Sequence, residues 1–369
     1  MKITIDASGA LGNRTGVGNY IYNLVNNLCD IGQENQYQLY FNYVRPKENP
    51  FIGFNQVKNR FPVKFSRYLN KFFPIEICTG KVDIFHGPNY FVPQKTKAKR
   101  VVTIHDLGFI LYPDAMLGND ASYYLKKVPK LIEESDHVIT ISKSTKKDLI
   151  EQLGVAKEKI SVTHMAAGED FKPIDDKRRL KTTLNKYQLP DKYLLAVATL
   201  EPRKNISTLV KALSVLKKSK KLTQKLVVVG GSGWKSDSLS KEIKEYGLED
   251  EIIFPGFIGQ EDLPFIYNAC SLFLFPSIYE GFGIPLLEAL SCGKPCISSN
   301  TSSMPEVAGD AAILIDPLDA NSWADNIVDL LENPAKEEDL SKKALIQTQK
   351  FSWQKTAKQT LLVYKQLSS

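Results

Sequence analysis

The chain alternates short, continuously apolar runs with longer stretches whose apolar residues recur every three or four positions. The runs are typical of parallel strands that are covered on both faces, and the periodic stretches are typical of amphipathic helices. In the first half, strands are predicted at 2–6, 82–86, 100–105, 137–142 and 160–164. In the second half, strands are predicted at 193–199, 226–230, 252–254, 272–275, 295–298 and 312–315. The helices predicted between them include 19–30, 144–153, 206–218 and 323–332.

Strand–helix alternation in both halves predicts an α/β fold with two doubly wound, Rossmann-like domains. A charged stretch with Pro173 and Pro190 separates the halves, and we place the linker around 167–173. The predicted domains are 1–170 and 171–351, followed by a helix over 352–369 for which packing against the first domain is one option. Because such domains bind ligands at the carboxyl ends of their strands, the expected site is a cleft that the two domains face.

The composition fits two globular domains rather than a membrane-spanning or disordered chain. With 369 residues, of which 43% are hydrophobic, the chain carries too much apolar material for a single hydrophobic core. The sequence has no run of about 18 apolar residues, and its amino terminus lacks a signal-peptide core. The five cysteines are scattered without forming a zinc-binding set, which favours free thiols in a reducing cytosol. We therefore expect a cytoplasmic protein.

The positive charge of the chain is concentrated near its start. The net charge is +7, and residues 1–100 hold 14 Lys/Arg against 6 Asp/Glu. This distribution argues against nucleic-acid binding and indicates a local anionic partner of the first domain. Segment 57–74 combines basic and aromatic residues without an acid, which fits either a membrane-surface helix or a solvated helix over a core. Its basic residues are Lys58, Arg60, Lys64, Arg67 and Lys71.

The segment SIYEGFGIPLLEALSCGKP, which begins at residue 277, has the composition of a ligand-binding turn. Gly281 and Gly283 let a ligand approach the backbone closely, and a helix is predicted over 284–291. The amino terminus of this helix favours an anion. Glu280 and Glu288 are suited to accept hydrogen bonds from sugar hydroxyls, although Glu288 alone fits a helix-dipole role equally well.

The segment TLEPRKN, at residues 199–205, is the second candidate binding element. Arg203 offers a planar fork and Lys204 a point charge, and together they suit a diphosphate. The alternative is a solvated basic turn, but the segment lies at the carboxyl end of a predicted strand, where ligands of this fold class bind.

EGFGIPLLEALSCGKP, with TLEPRKN upstream and SSMPEVAGDAAILIDP downstream, resembles the retaining glycosyltransferases of family 4, which have the two-domain GT-B architecture. The resemblance implies that Arg203 and Lys204 neutralise the donor diphosphate and that Glu288 binds the nucleotide ribose. It also implies that Glu280 and the backbone of the turn hold the transferred sugar and its phosphate. The turn residues concerned are Gly281, Phe282, Gly283 and Ile284.

The first domain holds further candidates. The resemblance implies that Gly16, in a glycine loop, lines the donor side of the cleft. A histidine at a strand end is more often structural than catalytic, but the resemblance assigns His105 to orienting the donor sugar and stabilising the reacting centre. His86 and Asn89, in FHGPNY, are candidates for the acceptor pocket. The catalytic candidates are therefore His105, Glu280, Arg203 and Lys204.

These features together predict a metal-independent glycosyltransferase that uses no cofactor, and the family resemblance implies that it retains the anomeric configuration. The likeness to mannosyltransferases of O-antigen synthesis implies transfer of mannose from GDP-mannose to a polysaccharide or lipid-linked glycan. UDP-hexoses are the alternative donors. A sugar-nucleotide epimerase, a phosphorylase and a non-catalytic nucleotide-sugar or glycan-binding protein are the alternative functions. If segment 57–74 is a membrane-surface helix, peripheral contact with the inner face of the cell membrane is expected.

Overall fold

The computed structural model describes residues 1–12, 14, 16–45, 48–60, 63–115, 120–231 and 236–368. The chain forms two compact units that interleave along the sequence. The first unit contains Met1–Leu111, Gly118–Met165 and Ser352–Ser369. The second unit contains Tyr112–Leu117 and Ala166–Phe351.

A parallel sheet of seven described strands forms the centre of the first unit. Its strands are β1 (Lys2–Asp6), β2 (Gln36–Asn42), β3 (Asn55–Asn59), β4 (Ile84–Gly87), β5 (Lys99–Ile104), β6 (His137–Thr140) and β7 (Ile160–Val162). They lie in the order β3-β2-β1-β4-β5-β6-β7, and each neighbouring pair is parallel. The central strands are buried on both faces, as their continuous apolar sequences predict.

Strands β2 and β3 were not predicted from the sequence. The sequence of β2, QYQLYFN, buries its last apolar residues, but its polar first half resembles a loop. At the edge of the sheet, β3 reads NQVKN and carries a single apolar residue. Edge strands need little apolar character because one side of the strand has no neighbour, so their sequence pattern is weak.

Helices cover the first sheet. They are α1 (Gly16–Ile31), α2 (Val63–Phe72), α3 (Glu76–Thr79), α4 (Gly108–Leu111), α5 (Asp120–Glu134) and α6 (Lys143–Leu153). The ends of α6 follow ordinary capping rules, because the Ser142 hydroxyl accepts a hydrogen bond from the Thr145 N–H at 3.0 Å. Gly154 then ends the helix in the left-handed conformation.

The second unit repeats the architecture with six described parallel strands. They are β8 (Tyr193–Val197), β9 (Lys225–Val229), β10 (Ile252–Gly256), β11 (Leu272–Phe275), β12 (Cys296–Ser299) and β13 (Ile313–Ile315). Their order is β10-β9-β8-β11-β12-β13. The helices are α7 (Lys177–Lys186), α8 (Ile206–Lys218), α9 (Ser236–Glu245), α10 (Leu263–Ala269), α11 (Ile284–Ser291), α12 (Met304–Ala308), α13 (Ala320–Glu332) and α14 (Pro334–Thr348).

The last helix, α15 (Trp353–Ser368), returns to the first unit and packs against α1. The Trp353 and Tyr20 rings lie 6.1 Å apart, and the Thr356 hydroxyl donates a hydrogen bond to the His164 carbonyl. Deeper in the unit, the Tyr364 hydroxyl lies 2.6 Å from His86 Nδ1. The carboxyl-terminal helix is therefore part of the core of the first unit.

Within the described part of the chain, no helix is long and apolar enough to cross a membrane.

Candidate active site

Sheet topology brings the two candidate segments of the second unit together. The segment with Arg203 and Lys204 follows β8, and the segment with Glu280 follows β11. These strands are neighbours, and the order of strands along the chain reverses between them. Ligands of open α/β sheets bind at the carboxyl ends of strands at such a switch point. The fold therefore places both segments where this class of protein binds ligands.

The side chains of these segments form a compact cluster of charges. Lys204 Nζ donates to Glu280 Oε1 at 2.6 Å, and Arg203 Nη1 donates to Glu280 Oε2 at 3.0 Å. The same Arg203 nitrogen donates to the Tyr279 carbonyl at 2.6 Å, while Nη2 donates to Glu201 Oε1 at 2.8 Å. Arg203 thus bridges two carboxylates and one backbone carbonyl. Glu201 was not among the candidates predicted from the sequence.

The short turn that carries the two cations is held in place by Asn205. This residue has a φ of 55°, which is unusual for a residue other than glycine. Its amide nitrogen donates to the Pro276 carbonyl at 3.0 Å and to the Pro317 carbonyl at 2.7 Å. These bonds connect the turn after β8 to the chain after β11 and β13, so the cations are positioned by the backbone of three loops.

Glu280 is ionised in this cluster although its side chain is buried. Burial by itself raises the pKa of a carboxyl group, but the charges of Lys204 and Arg203 together lower the pKa of Glu280 to about 2. Two cations therefore face two carboxylates, those of Glu280 and Glu201. An anionic ligand has to compete with one of these carboxylates, and Glu201 is the more exposed, at 22% against 10% of the side chain.

A row of hydroxyl groups fixes the glycine turn that follows Glu280. Thr301 donates to the Ile278 carbonyl at 2.8 Å, Ser302 to the Glu280 carbonyl at 2.7 Å, and Ser303 to the Phe282 carbonyl at 2.8 Å. Ser302 also accepts a hydrogen bond from the Glu280 N–H at 2.9 Å and has a φ of 50°. Backbone strain of this kind is found where surrounding contacts determine a functional loop.

The turn ends in helix α11, whose bounds agree with the predicted 284–291. Gly283 precedes it with a φ of 97°, a conformation that a residue with a Cβ rarely adopts. Pro285 lies in the first turn, where its missing N–H costs no helical hydrogen bond. Phe282 is buried, and its ring lies 5.7 Å from the Phe351 ring. The helix amino terminus is therefore held beside Glu280, where it favours an anion.

Glu288 lies further along α11 and has a different environment. It is 8% exposed, and the Tyr267 hydroxyl donates to its Oε2 at 2.9 Å. Burial raises the pKa of Glu288 to about 8, although the hydrogen bond from Tyr267 lowers it. The two glutamates of one motif thus differ: Glu280 is a paired carboxylate, and Glu288 is a carboxyl group that titrates near neutral pH. Tyr267 could not be selected from the sequence, because it lies on another helix, α10.

His105 is the central candidate of the first unit. Its side chain is 7% exposed, and Nε2 donates to the Pro88 carbonyl at 2.8 Å. Burial lowers the pKa of His105, so the ring is neutral at pH 7 and Nδ1 is the atom suited to accept a hydrogen bond. The Tyr20 ring packs edge-on against the imidazole at 5.0 Å. Asp106 Oδ1 accepts from the Gly108 N–H at 2.9 Å, which caps the following turn.

The remaining candidates of the first unit have contrasting surroundings. Gly16 is the first residue of α1 and exposed, and a Cβ there would meet nothing within 4 Å. Asn89 is exposed, whereas His86 is fully buried. The two ring nitrogens of His86 lie 2.6 Å from the Tyr364 hydroxyl and 2.8 Å from the Thr103 hydroxyl. These contacts favour a structural role for His86, so its place in an acceptor pocket stays a prediction.

No group of three or more His, Cys, Asp or Glu side chains in the described ranges is arranged to hold a metal ion.

Comparisons with known proteins place the chain in a class. The family model described as Glycosyltransferase Family 4 matches residues 14–166, and that described as Glycosyl transferases group 1 matches residues 181–347. The chain is 33% identical over 285 residues to the O-antigen chain mannosyltransferase B of Escherichia coli, covering 77% of this chain and 74% of that protein. It is 36% identical over 273 residues to the serotype-specific mannosyltransferase WbdA of Escherichia coli, covering 72% of this chain but 33% of WbdA.

The fold agrees with these matches. Sucrose-phosphate synthase from Thermosynechococcus elongatus superposes with a TM-score of 0.79 at 21% identity, covering 100% of this chain and 99% of that chain. Two Rossmann-like units of this kind define the GT-B class of glycosyltransferases. The chain belongs to glycosyltransferase family 4, as both family models and the relative at 33% identity show. The predicted fold and enzyme class are confirmed, and the roles of individual residues stay predictions.

Proposed function

We propose that this glycosyltransferase moves mannose from GDP-mannose onto a polysaccharide or lipid-linked glycan, with retention of the anomeric configuration. The observation that carries the proposal is the cluster of Arg203, Lys204 and Glu280 at the switch point of the second sheet. The mannosyl specificity is supported by the printed functions of the relatives at 33% and 36% identity.

In this proposal the donor diphosphate takes the place of Glu201 beside Arg203. The cluster contains two cations and two carboxylates, and Glu201 is the more exposed carboxylate. Once Glu201 has moved, Arg203, Lys204 and the amino terminus of α11 all face the diphosphate. Glu280 stays ionised between the cations and accepts hydrogen bonds from hydroxyls of the transferred sugar. Glu288 accepts hydrogen bonds from the ribose.

Bond cleavage in this proposal is driven by electrostatic stabilisation of the leaving group. Negative charge grows on the diphosphate as the anomeric C–O bond breaks, and the fixed cations stabilise that charge without reorganising. The sugar meanwhile becomes oxocarbenium-like, and neutral His105 accepts a hydrogen bond from it through Nδ1. The incoming acceptor hydroxyl attacks from the side that the diphosphate leaves, and its proton passes to the departing phosphate. This front-face course retains the configuration, needs no metal and uses no cofactor.

The proposal includes a membrane location for the enzyme, because one of the proposed acceptors is a lipid-linked glycan. We infer peripheral contact of segment 57–74 with the inner face of the cell membrane, from the cytoplasm. Phe65, Tyr68, Phe72 and Phe73 are all roughly half exposed, and Lys58, Arg60 and Lys71 of the same segment are also exposed. Phe61 and Pro62 lie outside the described residues, as do the side chains of Lys64 and Arg67. Exposed aromatics with lysines and arginines are typical of helices that lie on anionic membrane surfaces.

The donor assignment is tested by thermal stabilisation of the purified protein with GDP, GMP, UDP, GDP-mannose and UDP-hexoses, each with and without EDTA. We expect GDP and GDP-mannose to raise the melting temperature regardless of EDTA, and GMP to do so much less, because the cations bind a diphosphate. A response to UDP ligands alone would replace the donor. The absence of any nucleotide response would favour a non-catalytic glycan-binding protein.

A matched pair of variants ties this response to the cluster. Lys204→Met removes the cation next to Glu280, whereas Lys211→Met removes a lysine of the same unit that pairs with Glu242 at 3.7 Å. The stabilisation by GDP should be lost in Lys204→Met and kept in Lys211→Met, each measured against its own ligand-free melting temperature.

A further inference from the structure

Four polar side chains form a continuous series of close contacts through the interior of the first unit. The Tyr364 hydroxyl of α15 lies 2.6 Å from Nδ1 of His86, and Nε2 of His86 lies 2.8 Å from the Thr103 hydroxyl. The Thr103 hydroxyl in turn lies 3.3 Å from the hydroxyl of Tyr20 on α1. All four side chains are fully buried, and we call them the buried tetrad.

The sheet and two helices bring the tetrad together beside His105. His86 on β4 is the register partner of Val101 on β5, so both side chains lie on the same face of the sheet. Side chains alternate between the faces of a strand, so Thr103 lies on this face too, and His105 continues the same alternation. Helices α1 and α15 pack against each other and supply the two tyrosines.

His86 is the neutral centre of the tetrad. Burial, and to a smaller extent the nearby His105, lowers the pKa of His86 to about 3. A neutral imidazole donates through one ring nitrogen and accepts through the other. The hydroxyls of Tyr364 and Thr103 can each donate or accept, so both ring nitrogens of His86 are satisfied. The tetrad is therefore a fixed, hydrogen-bonded support inside the unit.

The tetrad reaches His105 through the ring of Tyr20. The rings of Tyr20 and His105 are perpendicular with centroids 5.0 Å apart, a favourable geometry for aromatic pairs. The hydrogen bond from His105 Nε2 to the Pro88 carbonyl restrains rotation about the Cβ–Cγ bond only weakly, because Nε2 lies close to that axis. The Tyr90 ring lies further away, at 6.4 Å. The plane of the His105 ring therefore depends on the position of Tyr20.

We propose that His86 and Thr103 are positioning residues for sugar transfer. They anchor the Tyr20 hydroxyl, and the Tyr20 ring then holds the His105 imidazole with Nδ1 directed at the reacting sugar. Tyr364 supports His86 from its other side, which links the carboxyl-terminal helix to this geometry. A small rotation of the imidazole weakens its contact with the transition state, because such contacts require close alignment. This inference rests on the role proposed above for His105 in the glycosyltransferase reaction.

Thr103→Val is the central test, because valine has the shape of threonine but lacks the hydroxyl that contacts His86 and Tyr20. We expect the single-turnover rate of transfer from saturating GDP-mannose to fall about tenfold, with donor affinity within about twofold of the wild type. Donor affinity should be kept because the cations proposed to bind the diphosphate belong to the second unit. Thr103→Ser keeps the hydroxyl and should restore most of the rate. A Thr103→Ser rate as low as that of Thr103→Val would contradict the proposal.

Tyr364→Phe tests the other end of the tetrad, because it removes only the hydroxyl next to His86 Nδ1. We expect the transfer rate to fall about threefold or more, again with donor affinity kept. The matched control is Tyr40→Phe, since Tyr40 is another fully buried tyrosine of the first unit and its hydroxyl accepts from Asn59 Nδ2 at 2.9 Å. Its transfer rate should equal that of the wild type. A lower melting temperature of Tyr364→Phe with an unchanged transfer rate would reduce the tetrad to a structural role and overturn the proposal.

NMR of the histidine rings tests the same geometry without turnover. The sequence contains four histidines, so protein labelled at histidine gives few ring signals. Because the His105 and Tyr20 rings are in contact, the chemical shifts of the His105 ring protons depend on the position of Tyr20. These shifts should change in Thr103→Val and Tyr364→Phe, and they should stay the same in Thr103→Ser and Tyr40→Phe.

The two measurements separate this inference from the proposed function. If the wild type transfers mannose and Thr103→Val and Tyr364→Phe transfer it equally fast, the positioning role is wrong and the proposed function stands, whether or not the His105 signals move. If the wild type transfers no mannose but the His105 signals move as expected, the proposed function fails and the link between the tetrad and His105 stands. Tyr364→Phe keeps the test decisive if Thr103→Val does not fold.

Discussion

Glu288 is a carboxyl group whose surroundings favour its neutral form, in contrast to Glu280 in the same motif. The pKa of Glu288 is raised to about 8 by burial, from an ordinary value of 4.5. Ionisation of Glu288 therefore opposes folding. The stability that the protonated carboxyl group contributes is lost as the pH rises from 4.5 towards 8. If the ionised form binds the ribose, as proposed, donor affinity should increase over the upper part of the same interval.

We expect Tyr267→Phe to move this increase in donor affinity to higher pH. The variant keeps the ring but removes the hydroxyl that lowers the pKa of Glu288. At pH 7.5 the donor KM should rise several-fold, in line with a lost hydrogen bond of about 1 kcal/mol, while kcat changes less. The measurement is the donor KM as a function of pH.

Tyr193→Phe is the control, because this buried tyrosine donates its hydroxyl to the Ile266 carbonyl, beside Tyr267 in sequence. The midpoint of the change in donor KM with pH should be the same for Tyr193→Phe as for the wild type. If both variants shift this midpoint equally, or if neither shifts it, the Tyr267 hydroxyl does not lower the pKa of Glu288.

At the scale of elements, the sequence predicted best where local pattern and tertiary environment agree. Helix α11 and strands β1 and β11 have the predicted bounds, because their buried apolar residues are bracketed by glycine, proline or polar residues. Strands β2 and β3 were missed because part or all of each lacks that pattern. Contacts between elements were also out of reach: neither the Tyr267–Glu288 bond nor the hydroxyl row at 301–303 follows from local sequence.

Helix α2 carries the membrane prediction. The double variant Phe72→Ser/Phe73→Ser removes two exposed rings without touching the core, and it should weaken sedimentation with phosphatidylglycerol vesicles. Binding of the wild type should decrease with salt and be weak on phosphatidylcholine, because the basic residues act electrostatically.

Phe257→Ser is the control, because it removes a ring of the second unit that is even more exposed, at 70% against 53% for Phe72 and 54% for Phe73. If the α2 variant binds vesicles as the wild type does, or if vesicle binding does not depend on lipid charge and salt, helix α2 has no membrane role.

At the scale of the whole molecule, the two units provide different parts of the proposed chemistry. The second unit holds the cations and both glutamates, and the first holds His105. The polypeptide passes from the first unit to the second and then back, since α15 belongs to the first unit and follows the last segment of the second. The strand–helix alternation of the sequence predicted two such domains, but only the structure shows that Tyr364 of α15 contacts His86.

Transfer itself is the most direct test of the central claim that this enzyme is a retaining, GDP-mannose-dependent glycosyltransferase. Purified protein should be incubated in EDTA with GDP-mannose or UDP-hexoses and a mannose-terminated acceptor, and the product linkage determined by NMR. We predict release of GDP and an α-linked mannosyl product, which retains the configuration of the donor. Transfer from a UDP-hexose but not from GDP-mannose, or formation of a β-linked product, would contradict the account.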